Sequence, residues 1–88
     1  MSLIGQQQRG VMAKQILDNP IYQEAIILTK AEILTSFENS AHSDDDARRE
    51  SWALLKALSR IEKQIEKIMK NGAFAEKELE RKPIPTGL

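Results

Sequence analysis

Residues 44–72 read DDDARRESWALLKALSRIEKQIEKIMKNG, the longest run in which helix signals at both ends agree with the apolar spacing between them. Leu54, Leu58, Ile61, Ile65 and Ile68 recur at steps of four, three, four and three, which lines them along one face of a helix. With Leu54 at heptad position d, Leu58 and Ile65 fall at a, and Ile61 and Ile68 at d. This is the coiled-coil seam that packs helices at shallow angles. Trp52 and Leu55 lie beside the stripe and widen it. At the start, Ser43, Asp44, Asp45 and Asp46 offer oxygens to the orphan amide hydrogens and negative charge to the positive end of the helix dipole. At the end, Asn71 and Gly72 suit the left-handed conformation of a C-cap, with Lys67 and Lys70 near the negative end of the dipole. The stretch predicts a helix of about 40 Å, at about 1.5 Å per residue.

Upstream of it, residues 39–46 form a short polar cluster of Asn, Ser, His and Asp, a turn brief enough to make its neighbours antiparallel. Residues 20–39 form the other arm. Asn19 caps it and Pro20 takes the first helical position, where a missing amide hydrogen costs nothing. Tyr22, Ile26, Ile33 and Phe37 make the stripe turned toward the long helix, and Ile27, Leu28 and Leu34 are left on a flank. Facing residues in such a hairpin have numbers adding to roughly 84 at equal rise, which sets Phe37 near Ala47, Ile33 near Ser51 and Trp52, and Ile26 near Leu58. Ile65 and Ile68 then fall opposite Ile16 and Leu17. A short helix over residues 6–17, weakened by Gly10, therefore has a reason to dock on the far end of the long one.

Residues 73–82, with Phe74 and Leu79 among alternating charges, predict a further short and exposed helix. Pro83 and Pro85 turn the terminus into an extended tail. The expected architecture is all-α: one domain over residues 1–88, an antiparallel helical hairpin with a short N-terminal helix and a short C-terminal helix or tail, and flexible ends at 1–5 and 83–88.

Thirteen basic and thirteen acidic side chains cancel, so no global field selects nucleic acid, an anionic membrane or an acidic substrate. The absence of cysteine excludes disulfides and thiolate metal sites and fits a reducing compartment. The first ten residues lack the basic start and apolar centre of a signal peptide, and no apolar run is long enough to span a bilayer. The chain reads as soluble, with no membrane partner. A chain of 88 residues with two or three helices buries too little surface for a generous private core, and the flank of Ile27, Leu28 and Leu34 adds to the expectation of self-association.

Little here carries chemistry. His42 beside Asp44, Asp45 and Asp46 lacks the glycine and distant bidentate Glu of a calcium loop and the further nitrogen or sulfur ligands of a zinc site; a capped turn accounts for it. No Ser, Tyr or His has the spacing of a nucleophilic site, so the chain is expected to be no enzyme and to need no cofactor. Arg49, Lys56, Lys63 and Lys70 recur seven apart with Arg60 and Lys67 on the adjacent row, and residues 48–70 hold seven basic side chains against three acidic ones. Such a face is either solvated and laced by pairs such as Glu66 with Lys70, which is the reading expected, or a contact for phosphate backbones or an acidic protein surface. Trp52 either anchors an interface or covers the turn end as core beside Leu55 and near Ile33, and the core role is the one expected. The candidate protein interface is Ile27, Leu28, Leu34, Trp52 and Leu55.

Ala13 and residues 15–20 (QILDNP), Tyr22, Glu24 and Ala25, residues 47–52 (ARRESW) with Leu54 and Leu55, and Ala57 and Leu58 leading to Gly72 together resemble a loose group of small proteins encoded by tailed bacteriophages and prophages. In that group a basic–acidic pair precedes the tryptophan, matched here by Arg49, Glu50 and Trp52. The resemblance covers most of the chain, from Arg9 through Leu79. It implies a product of the virion, packaging and head gene region and brings no catalytic residues. On it rests the expectation of a virion-assembly accessory acting through helix contacts, located in the virion or the host cytoplasm. A small nucleic-acid-binding accessory is the alternative.

Overall fold

A computed structural model describes residues 2–81, and among them every regular element is an α-helix: α1 (Leu3–Leu17), α2 (Pro20–Glu38) and α3 (Asp45–Glu80). The tail expected over residues 83–88 lies outside the described residues. Contacts divide the chain into two units, residues 1–17 with 65–88, and residues 18–64. The continuous helix α3 contributes to both.

Each helix start follows from its capping residue. The Ser2 hydroxyl accepts from the Gly5 amide at 3.0 Å, so α1 begins at Leu3, before the start expected at Gln6. Asn19, extended at φ −71° and ψ 122°, accepts on Oδ1 from the amides of Ile21 (2.8 Å) and Tyr22 (3.1 Å). With Pro20 at the first helical position, this is the start that residues 19–20 predict. Asp44 Oδ1 accepts from the Ala47 amide at 3.0 Å, so of the four candidates it is Asp44 that caps α3. Between α2 and α3 the Ser40 hydroxyl donates to the Phe37 carbonyl (2.6 Å) and the Asp44 amide to the Ala41 carbonyl (2.9 Å).

In the unit of residues 18–64, Tyr22, Ile26, Lys30 and Ile33 of α2 are half-buried, and so are Leu55, Leu58, Ser59 and Glu62 of α3, with Ser51 buried. Lys30 Nζ meets Glu62 Oε1 at 2.9 Å, and the Arg48 guanidinium lies 5.2 Å from the Phe37 ring centre. Two expectations are corrected here. Leu54 and Ile61, placed on the seam, are 49% and 55% exposed, and the line through Ser51, Leu55, Leu58 and Glu62 takes their place. Trp52, expected as core, is 61% exposed. The row that packs carries the Lys30–Glu62 ion pair and the small side chain of Ser51. With the row of Glu62 facing α2, the Leu54–Ile61 row lies to one side of the contact and Trp52 to the other, nearly opposite Leu54 on the helix at about 100° per residue.

In the unit of residues 1–17 and 65–88, α1 packs on the later part of α3. Gly10, Ala13, Gly72 and Ala75 are buried there, while Ile65, Ile68 and Met69 are half-buried. The glycines carry the contact. A Cβ built on Gly10 would lie 2.6 Å from the Gly72 Cα, and one on Gly72 would lie 2.5 Å from the Gly10 Cα and 2.9 Å from the Gln6 carbonyl oxygen. The stop expected at Asn71–Gly72 is also overturned. No described glycine has positive φ, and α3 runs through Gly72 to Glu80, so residues 73–80 continue the long helix instead of forming a separate one. A mid-helix glycine costs about 1 kcal/mol against alanine. The backbone-to-backbone approach it permits offsets that cost through dense van der Waals contact.

Candidate functional site

The wholly buried apolar residues among those described are Ala13 and Ala75, and no large side chain is fully buried. α2 shows most plainly what is left outside. Its half-buried row occupies one face, yet Ile27 (66% exposed), Leu28 (55%) and Leu34 (48%) stand on others, together with Ile21 (70%). Ile27 and Leu34 lie seven apart with Ala31 between, and Ile21 and Leu28 likewise with Ala25 between, so each set is one row at helical spacing. A helix apolar on all sides is the pattern of an element enclosed by neighbours. Of the residues expected at a protein interface, Ile27, Leu28, Leu34 and Trp52 are exposed, whereas Leu55 is half-buried.

The second surface lies on α3. Arg49, Trp52, Lys56, Arg60 and Lys63 follow one another at steps of three, four, four and three, and all five are exposed. Lys56 Nζ sits 5.2 Å from the Trp52 ring centre, a cation–π contact worth about 0.5 to 1 kcal/mol at an exposed site. Trp52 lines two open depressions. One, of about 450 Å³, is lined by Trp52, Ala53, Lys56, Ala57 and Arg60; the other, of about 370 Å³, by Asp45, Arg48, Arg49 and Trp52. Arg49 has a loose partner in Asp46 at 3.9 Å, with both side chains more than four-fifths exposed. Arg48 is engaged with Phe37 and with the His42 carbonyl oxygen at 3.5 Å. Lys67 and Lys70, from the expected basic rows, are exposed in the other unit.

The sequence reading found the cations but set Trp52 apart from them as core. The missing signal was available: Trp52 lies three residues after Arg49 and four before Lys56, on the cationic face whichever row of α3 packs. The Gly10–Gly72 approach has no local signature, because a glycine in a helical stretch reads from sequence as a weak point or a stop.

No helix among the described residues is long and apolar enough to cross a membrane. No family model, no curated protein and no solved structure matches the chain.

Proposed function

We propose that this chain is an assembly module, a small phage structural or virion-assembly accessory that works by helix-to-helix contacts with copies of itself or with other virion proteins. The phage setting is supported by the sequence resemblance. The contact mechanism is supported by one observation above all: α2 keeps Ile27, Leu28 and Leu34 about half or more exposed while no large side chain is fully buried among the described residues. Burying such surface stabilises by about 25 cal/mol per Å², so an association that covers these rows supplies the core that a single chain lacks. We infer further that α2 and the first part of α3 form an antiparallel hairpin. Its support is the pairing of Phe37 with Arg48 near the turn and of Lys30 with Glu62 farther from it.

Sedimentation velocity tests the association. The native chain is expected to sediment as an oligomer at micromolar concentration, and Leu28→Asp combined with Leu34→Asp is expected to return it to the monomer. A native chain that is monomeric at that concentration, with stability indifferent to the double substitution, refutes the interface. The phage setting has its own test. Recovery in purified particles or in head and packaging complexes supports it. Absence from both, with normal particle yield after deletion of the gene, refutes it.

A further inference from the structure

We propose that the exposed row Arg49, Trp52, Lys56, Arg60 and Lys63 on α3 binds single-stranded nucleic acid, with a base stacked on the Trp52 indole and the neighbouring phosphates held by the cations. The inference is independent of the assembly reading, whose apolar rows lie on α2. It rests on the placement of the only tryptophan of the chain. Trp52 is 61% exposed, lies in a row without an acidic member, and lines two depressions, one with Lys56 and Arg60 and the other with Arg48, Arg49 and a single carboxylate, Asp45.

Aromatic rings flanked by cations are what a single strand needs, because every unpaired base offers a π-face and every linkage a negative charge. Duplex bases have their faces already stacked, which leaves the indole nothing to accept. A second copy of the chain is a poor occupant. A two-fold interface sets a patch against itself, and here that would press Arg49, Lys56, Arg60 and Lys63 against their own duplicates. The cations are only loosely held: Arg49 pairs with Asp46 at 3.9 Å, and Lys56 Nζ lies over the indole 5.2 Å from its centre, a contact of about 0.5 to 1 kcal/mol that a stacked base displaces from that face while the ammonium moves to a phosphate.

Because Trp52 is the sole tryptophan, its fluorescence reports the site directly. An oligothymidylate of about 12 nucleotides, within the length that one stacking module covers, is titrated into the full chain at about 20 mM salt, where phosphate contacts are strongest. Strong quenching is expected, with weak quenching by a duplex of equal length and by polyglutamate of equal charge. With labelled oligonucleotide read by anisotropy, Trp52→Ala is expected to weaken binding about tenfold, within the range for loss of one stacked base. Lys56→Gln with Arg60→Gln is expected to reduce the slope of log affinity against log salt by about 1.4. Circular dichroism confirms that each variant keeps its helices, as exposed positions allow. Absence of quenching by the single strand overturns the proposal, as does a Trp52→Ala variant that binds like the native chain. Equal quenching by polyglutamate overturns it in favour of an acidic protein surface, and dissociation of an oligomer by Trp52→Ala overturns it in favour of a protein interface.

Discussion

Two glycines show how one residue type carries opposite meanings. Gly72 stands where a helix stop is read from sequence, between Asn71 and the charged residues that follow, yet its backbone is helical and its missing side chain is used for contact with Gly10. The effect of Gly72→Ala follows from weighing two terms. Alanine is the better helix former by about 1 kcal/mol, but its methyl group would meet the Gly10 Cα at 2.5 Å, and backbone cannot rotate aside as a side chain does. Overpacking of this kind costs about 1 to 3 kcal/mol, so the steric term wins. Gly72→Ala is expected to lower the urea midpoint, as is Gly10→Ala. A midpoint raised by both substitutions would mean that the helices do not touch there.

At the scale of the helix, caps and seam phase can be tested separately. Asn19 accepts two amides at the start of α2, and Asn19→Ala is expected to cost about 1 kcal/mol, whereas Asn19→Gly costs a few tenths. Equal losses from the two would show that the side-chain oxygen does not cap. Phase on α3 is read by comparing neighbours on adjacent rows. Leu58 is half-buried and Ile61 is 55% exposed. Under conditions where the chain is monomeric, Leu58→Ala is therefore expected to cost about 2 kcal/mol and Ile61→Ala about 0.5 kcal/mol or less. The reverse order in denaturation curves would restore the Leu54–Ile61 seam read from the sequence. Lys30 and Glu62 are consistent with this phase, and an ion pair with side chains 43% and 26% exposed adds about 0 to 1 kcal/mol.

For the whole chain, the deciding quantity is how little it covers. Among the described residues fourteen large apolar side chains are exposed, and the wholly buried apolar ones are alanines. Small domains are marginal because they remove a small fraction of their surface from water, and a partner that binds only the folded state adds stability by mass action. The melting temperature is therefore expected to rise as protein concentration increases, and the Leu28→Asp, Leu34→Asp double variant to lose that dependence. Scanning calorimetry across a hundredfold concentration range, about 2.7 kcal/mol of linkage at most, checks it. A melting temperature independent of concentration in the native chain would place its stability in the single chain.

The sequence by itself determined the helices and most of their starts. Capping side chains, proline at a first turn and apolar periodicity act over a few residues, so Asn19, Pro20 and Asp44 are legible without knowing the partners of the helices. It also determined that α1 has a docking place on the later part of α3. Which row of α3 packs, and whether Gly72 ends the helix or brings two backbones together, were decided only by tertiary structure, whereas the outward place of Trp52 is legible in its spacing from Arg49 and Lys56. Leu54 and Ile61 are as apolar as Leu58 and Ile65, so hydrophobicity cannot choose between rows that lie side by side. What marks the packed faces in the structure is an ion pair between Lys30 and Glu62 and a backbone contact between two glycines. Each joins residues far apart in the chain, and no local pattern records such partnerships.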